Sequence, residues 1–499
     1  MCFYEYFSKL PDTINQKLSY KMKTNRRRFI RIACVTGTGM MAADITGMSS
    51  AQSNKQSDPF ASTKKISEEE HKQHFNMCGY STDRLETVRV GFIGLGNRGP
   101  VNVDAMAYIE GVEIKALCDK RMVRVENSQN ILSKHGLPPA LAYGGSEDSW
   151  MELCKNPDID LISIAVPRGP LHAKMAVCAM EHGKHVAVEA PAASTLEEAW
   201  KLVETSERTR KHCMMLENCC YDFFELLTLN MARQGLFGEL IHADAGYLHH
   251  QNNFIKPEGG DMWRVRESQH RNCNLYPSHG IGPVCQALNI NRGDRLVRMT
   301  SMSSNDFIMG RMAHELAQQD SFYKEFDTDS YRGNINSSII RTQNGKTIML
   351  QYDITSPRVY SRIHTISGTK GIFQKYPLPG RIALGKDEWL NEQEMDELTK
   401  NYTPEIVKLM GNLAKEIGGH GGMDFLMNWR LIDCLRNGLA PEQDVYDAAA
   451  WSSIVPLSEW SVANDSNSIR VPDFTCGSYK TNQPLDITMS KGGNTGVRK

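Results

Sequence analysis

A run of β-formers, Val88–Ile93, leads directly into Gly94, Gly96 and Gly99, which spell G-x-G-x-x-G where a strand should give way to a helix. In a strand–turn–helix unit each glycine has a separate job. The first permits the tight turn, the second lets the backbone approach a pyrophosphate, and the third lets the helix pack close to the strand. Free N–H groups at the helix N-terminus then face the anion. Glycine-rich turns alone are common, so the context carries the reading. A second apolar run from Val112 to Cys118 ends at Asp119, about 20 residues past the glycines, where an acid can bond a ribose hydroxyl. Asp119 favours NAD over NADP, because a 2′-phosphate would meet like charge. The bland alternative is a structural glycine turn with a solvated aspartate.

The alternation continues downstream. Buried strands are expected at 160–165, 185–189 and 213–216, with helices at 101–109, 122–135, 171–183, 196–208 and 223–234. Apolar runs separated by amphipathic helices indicate an N-terminal Rossmann-type, doubly wound parallel sheet over residues 86–220. Ligands of that fold sit at the carboxyl ends of the strands, which fall at Gly94, Asp119, Pro167, Glu189 and Asn218. From about residue 240 the pattern changes to alternating runs at 241–247, 296–301, 335–342, 347–353 and 362–367. Asn344-Gly345 between two of them predicts a type I′ hairpin. Residues 221–465 therefore read as an α/β domain with an open, mostly antiparallel sheet. Helices at 405–416, 423–436 and 441–460, with Pro441 near the first turn of the last, should pack back on the first domain. Residues 466–499 remain as a C-terminal tail, and the polar stretch 52–85 as a linker or loosely packed arm.

Composition excludes several classes. The net charge is −1 and no basic stripe alternates with aromatics, so nucleic acid is not an expected partner. The 13 cysteines include no C-x-x-C, and Cys118, Cys178 and Cys213 sit in apolar runs as reduced core residues. His249-His250 tempts as a metal pair, but neighbours on a strand point to opposite faces, so no metal is expected. At the N-terminus, Asn25-Arg26-Arg27-Arg28-Phe29-Ile30-Arg31 resembles a twin-arginine export signal within a leader spanning 1–51. A short apolar stretch at 32–43 follows, too short to span a membrane, and Ser49-Ser50-Ala51 offers a small-residue cleavage site. Met22 reads as the true start, and the expected destination is the periplasm. The competing reading is a basic tail.

The ordered motifs resemble glycoside hydrolase family 109, the NAD-dependent α-N-acetylgalactosaminidases, within the Gfo/Idh/MocA oxidoreductase group. The blocks are Gly94-Leu-Gly-Asn-Arg-Gly99, His185-Val-Ala-Val-Glu-Ala-Pro-Ala192, Glu217-Asn-Cys-Cys-Tyr221 and Ala245-Gly-Tyr-Leu-His249. They continue with Trp263-Arg264, Asn274-Leu-Tyr-Pro-Ser-His-Gly-Ile-Gly-Pro283 and Ser356-Pro-Arg-Val-Tyr-Ser-Arg362. Sugar dehydrogenases of the group are similar to Glu-Lys-Pro after the fourth strand, whereas this chain has Glu189-Ala190-Pro191. Their usual lysine mechanism is therefore disfavoured.

The resemblance implies NAD contacts from Gly94, Gly96, Asn97, Arg98, Gly99, Asp119, Gly169, Pro170, Leu171, His172, Glu189, Ala190, Asn218 and Tyr276. It implies sugar contacts from Tyr247, Arg264, Tyr276, Pro277, Ser278, His279 and Tyr360, with His279 and Tyr276 as the catalytic pair. It also implies a redox-neutral cleavage in which C3 is oxidised, C2 deprotonated, the aglycone eliminated, water added and C3 reduced again. Histidine suits the base because its pKa lies near neutral. One departure stands out: the family's Trp-x-Trp-His segment is Pro167-Arg-Gly-Pro-Leu-His172 here, which keeps the histidine and loses both tryptophans. His420, within Gly418-Gly-His-Gly-Gly422, reads as a helix-entry residue, with pocket lining as its second reading. The rival functions are an NAD-dependent sugar dehydrogenase and a non-catalytic sugar-binding protein on the same fold. Open sheets of this group often pair face to face, so two copies meeting through that sheet is the oligomer to test.

Overall fold

The structure, a computed structural model, describes residues 59–251, 262–385 and 387–498. The leader, its twin-arginine stretch and its cleavage site lie outside the described residues. The first sheet contains β1 (Val88–Ile93), β2 (Val112–Asp119), β3 (Leu141–Gly144), β4 (Leu161–Ile164), β5 (His185–Val188) and β6 (Cys213–Met215). Their order is β3-β2-β1-β4-β5-β6 and every pairing is parallel. β4, β5 and β6 are buried along their whole length, as expected for strands covered by helices on both faces. Strand order reverses between β1 and β4, which opens a crevice at their carboxyl ends.

The second sheet adds β7 (Leu240–Leu248), β8 (Leu296–Ser303), β9 (Asn336–Thr342), β10 (Thr347–Asp353), β11 (Thr365–Gly368), β12 (Gly371–Gln374), β13 (Arg381–Leu384) and β14 (Ile469–Arg470). It runs β13-β12-β11-β7-β10-β9-β8-β14, antiparallel except where β7 meets β10. The expected β9–β10 hairpin is present with a different turn. Gly345 N–H donates to the Thr342 carbonyl at 3.1 Å, Thr342 N–H donates to the Lys346 carbonyl at 2.9 Å, and only Gly345 of the Asn-Gly pair has a positive φ (86°). This is a three-residue loop with glycine in the left-handed position rather than a type I′ turn. One face of the sheet packs against helices Ser278–Ala287 and Ile454–Ala463. The other carries His242, Asp244, Thr300, Met302, Ile339 and Met349, of which Met302 and Ile339 are 65% and 49% exposed.

Three expectations need correction. The helix expected at 441–460 is two, Val445–Ser452 and Ile454–Ala463. Pro456 has no N–H for the Ser452 carbonyl one turn back, so the ladder breaks there, while Asp444 and Asp447 form a capping box that starts the first helix after Pro441. The described part of the 52–85 arm is not loose. Helix Pro59–Glu68 packs on Ile454–Ala463 and β14, Met77 is buried, and the His71 ring stacks on Trp200 at 3.7 Å. The C-terminal tail is integral as well, contributing β14 and returning to the first sheet, where Arg498 donates to the carbonyls of Ala107 and Val112 at 2.7 and 2.6 Å. As expected, helix Met423–Asn437 packs back against β1 and helix Gly99–Ala107.

Candidate active site

The glycine turn is built for close approach. A Cβ on Gly94 (φ 89°) would lie 2.7 Å from the Ala165 carbonyl carbon, and one on Gly99 would collide with the Gly94 carbonyl oxygen. Gly96 differs: its nearest neighbour in that direction is Arg124 Nη1 at 3.5 Å, which leaves the backbone open to a phosphate. Asp119 Oδ2 accepts from Leu95 N–H at 2.8 Å and Oδ1 from Arg121 N–H at 2.9 Å, so the carboxylate is seated against the turn with lone pairs to spare for a ribose. Asn97 is exposed beside it, and Gly169, Pro170 and Leu171 begin the helix after β4. This cradle fits a dinucleotide on its own geometry.

His172 does not join it. The residue is 1% exposed, and its two ring nitrogens lie 2.7 and 2.9 Å from the carbonyl oxygens of Pro191 and Val166. It holds the β4 and β5 loops together and has no nitrogen left for a cofactor. Ala190, buried before a cis Pro191, puts no ionisable side chain where a lysine would stand. Glu189 Oε1 instead accepts from Arg98 Nε at 3.2 Å, and the remaining Arg98 nitrogens reach Asp424 at 2.9 and 3.2 Å. Asn218 Nδ2 and His420 Nδ1 also contact Asp424, at 2.5 and 2.7 Å. Burial would raise the Asp424 pKa, but His420 and Arg98 hold the carboxyl well below its usual range. His420 thus lines the pocket, matching its second reading.

Beyond Glu189 and Asn218 the crevice widens into a cavity of about 230 Å³ lined by Tyr247, Arg264, Tyr276 and His279 among others. His279 is the second residue of helix Ser278–Ala287. That helix lies tight on β7, since a Cβ on Gly280 would stand 2.6 Å from Gly246 N. His279 Nδ1 is 2.7 Å from Oε1 of Glu217, a fully buried side chain at the end of β6. Burial raises the Glu217 pKa, but the His279 ring, Ser278 and the Cys219 N–H together hold the carboxyl below its ordinary value. An ionised Glu217 can only accept, so the proton they share lies on Nδ1, and Nε2 is the ring nitrogen left for the cavity.

Aromatic rings frame this base. Tyr276 lies edge-on to His279 at 4.7 Å and 5.2 Å from Tyr247. Burial, with the charges of Glu189 and Glu217, pushes the Tyr276 phenol well up, so it stays a proton donor. Burial raises Tyr247 to about 12, and its hydroxyl accepts from Gln251 Nε2 at 3.0 Å. Arg264 lies 4.8 Å over the Trp263 ring and donates to Gln251 Oε1 at 3.4 Å.

Three expected sugar contacts fall elsewhere. Tyr360 is not in the cavity lining; it packs edge-on behind Tyr247 and His249, at 6.1 and 5.2 Å, and accepts from Arg362 at 3.0 Å. Pro277 caps the helix and Ser278 is fully buried, so of residues 276–279 only the two ends reach the cavity. Reading by residue type also missed Glu217, Arg168, Tyr352 and Ile354. Glu217 and Arg168 did leave a signal, each being a charged residue just past a buried strand of the parallel sheet. Among the described residues, Glu217, Cys219 and His279 place potential metal-ligating atoms within 4.8 Å of one another. The Glu217–His279 hydrogen bond already uses two of these groups, and burial keeps the Cys219 thiol protonated by pushing its pKa well up.

Fold and site define an NAD-binding protein of the Gfo/Idh/MocA oxidoreductase group. Residues 88–217 match the Rossmann-fold NAD-binding domain of that family, and levoglucosan dehydrogenase in complex with NADH shares the fold at 16% identity, with a TM-score of 0.58 over 78% of this chain and 100% of its own. A scyllo-inositol dehydrogenase from Lactobacillus casei aligns at 12% identity and a TM-score of 0.54, covering 77% of this chain and 99% of its own. The second half is more specific, as residues 221–481 match the C-terminal domain of glycosyl hydrolase 109. A Bacteroides thetaiotaomicron glycosyl hydrolase family 109 protein is 45% identical over 80% of this chain and 87% of its own length. One from Shewanella pealeana is 42% identical over 93% and 99%, and a Bacteroides fragilis protein named alpha-N-acetylgalactosaminidase is 46% identical over 81% and 96%. The chain belongs to glycoside hydrolase family 109.

Proposed function

We propose that this glycoside hydrolase removes terminal α-linked N-acetylgalactosamine with NAD held and recycled, so that no net redox change occurs. The observation that carries this reading is the Glu217–His279 pair facing a β5 end that reads Glu189-Ala190-Pro191: the base comes from the sheet domain, and no lysine competes with it. The Bacteroides fragilis relative's name supports the choice of sugar.

When bound, NAD would supply a reversible hydride acceptor for C3 of the sugar. Nε2 of His279 takes the C3 hydroxyl proton, and ionised Glu217 stabilises the imidazolium that forms. The Tyr276 phenol donates to the same oxygen. A ketone at C3 would make the C2 hydrogen acidic; a base of the cavity takes it as a proton while the C1 aglycone leaves with the bond electrons, water then gives its hydroxyl to C1 and a proton to C2, and return of the same hydride to C3 would leave no net redox change. Arg98, Glu189 and Asn218 hold the cofactor end of the cavity while Tyr247 and Arg264 hold the sugar.

The test is p-nitrophenyl N-acetyl-α-galactosaminide cleavage by protein stripped of NAD and then resupplied. Cleavage lost and restored with NAD, without NADH accumulation, is expected. NADH released from free sugars, without glycoside cleavage, would establish the dehydrogenase instead. We propose further that the chain is exported by the twin-arginine route to the periplasm. Replacing Arg26 and Arg27 by lysine should hold it in the cytoplasmic fraction; unchanged export would refute the route.

A further inference from the structure

Past the end of β7 the chain keeps a strand's alternation and turns three side chains of one face towards the cavity. The backbone N–H groups of His249 and Gln251 donate to the carbonyls of Asp353 and Ile354, at 2.8 and 3.1 Å. Side chains two apart on such a segment share a face, and Tyr247, His249 and Gln251 all line the cavity. Gln251 links two of its neighbours there. Its Nε2 is 3.0 Å from the Tyr247 hydroxyl, and its Oε1 is 3.4 Å from Nη1 of Arg264, the second residue of helix Trp263–His270.

Chemistry fixes the direction of this chain of contacts. A guanidinium only donates, so the amide atom facing Arg264 is the oxygen and the atom facing Tyr247 is the nitrogen. The Tyr247 oxygen therefore accepts, and its own proton points away from Gln251. Among the described residues no acceptor meets that proton. Burial raises the phenol to about 12, which keeps it protonated. Tyr247 is half-buried at the cavity wall, so the acceptor its proton is left for is an oxygen of the ligand. Without Gln251 the phenol is free to offer the ligand either a lone pair or a proton.

We infer that Gln251 is a positioning residue: oriented by Arg264, it holds the Tyr247 hydroxyl as a one-way proton donor to a sugar oxygen. This rests on the reading of the cavity as the sugar site. The decisive variant is Gln251→Glu, whose carboxylate keeps the contact with Arg264 but can only accept from Tyr247, which reverses the phenol. Gln251→Met removes both contacts. Each is made in wild type and in Tyr247→Phe. The readouts are kcat and KM for p-nitrophenyl N-acetyl-α-galactosaminide, calorimetric binding of N-acetylgalactosamine to the NAD-bound protein, and the thermal midpoint. Gln251→Glu should raise KM and the sugar Kd about 10- to 100-fold, and Gln251→Met less, with kcat changed by under about threefold and the midpoint unchanged. In Tyr247→Phe, where no phenol proton remains to reverse, Gln251→Glu should cost under about threefold more. A Gln251→Glu loss undiminished in Tyr247→Phe, unchanged sugar binding in Gln251→Glu, or a joint fall of kcat and midpoint with KM unmoved would overturn the assignment. If wild type binds the sugar and cleaves nothing, the functional reading fails while the binding constants still judge Gln251; if it binds no sugar, both fall.

Discussion

The base at the centre of the site is a pair of residues. His279 came out of the sequence through its motif, but Glu217 did not, because its role exists only once the fold brings together two residues 62 positions apart. The same holds for Arg168, whose meaning depends on Glu267, 99 positions downstream. Motif matching also over-assigned residues. Ser278 and His172 sit in recognisable blocks yet are buried, and Tyr360 packs behind Tyr247 and His249, since a block records which residues travel together and not which way each side chain points. If Glu217 acts through His279, His279→Ala should lower kcat by about 10²- to 10⁴-fold. Glu217→Gln should cost less, and the double variant no more than His279→Ala alone. Additive losses, measured by steady-state kinetics, would show that Glu217 has an independent role.

At the level of elements, the apolar strands of the parallel sheet were legible because burial on both faces leaves uninterrupted hydrophobic runs. β3 escaped because Leu141 and Ala142 on that edge strand are exposed. Helix Glu392–Tyr402 escaped for a related reason. It fully buries no residue: Met395, Leu398 and Tyr402 pack on the core while staying partly exposed, and the Asn391–Glu394 capping box fixes its start, so its apolar stripe is thin. The strand ends carry a further consequence. Burial pushes His212, just before β6, and His364, just before β11, down to about 4, and His185, at the start of β5, well below its ordinary value. The native state holds these rings neutral, whereas the unfolded chain protonates near pH 6.5. Their contribution is therefore complete above about pH 6.5 and is lost as pH falls towards 4, by roughly 3 kcal/mol for each ring driven to about 4. Urea unfolding followed from pH 8 to pH 4.5 should show stability falling only below about pH 6.5. His212→Gln with His364→Gln should flatten that fall, and an unchanged slope would assign it to other groups.

For the whole molecule, the C-terminal helices are tied to the first sheet at the cofactor end. Arg98 bridges Glu189 of the first sheet to Asp424 of the Met423–Asn437 helix, so the dinucleotide cradle and the C-terminal helices form one surface around the cavity. The outer face of the second sheet remains open, with Met302, Ile339 and Met349 among polar neighbours, and we propose that a second copy of the chain covers it. Light scattering should give a dimer for wild type and a folded monomer for Met302→Lys with Ile339→Lys. A dimer that survives both substitutions would place the interface elsewhere. No helix among the described residues is long and apolar enough to cross a membrane.

The central claim is that a glycosidic bond is broken by transient oxidation, with His279 as the base at C3. Cleavage of p-nitrophenyl N-acetyl-α-galactosaminide in D2O, with the released sugar read by NMR, tests it most directly. The account predicts deuterium at C2 of the product in every turnover and none at C2 of the recovered substrate analogue in NAD-stripped protein. Full cleavage with hydrogen retained at C2 and undiminished by removal of NAD would contradict it, because neither the oxidation nor the elimination would then be in use.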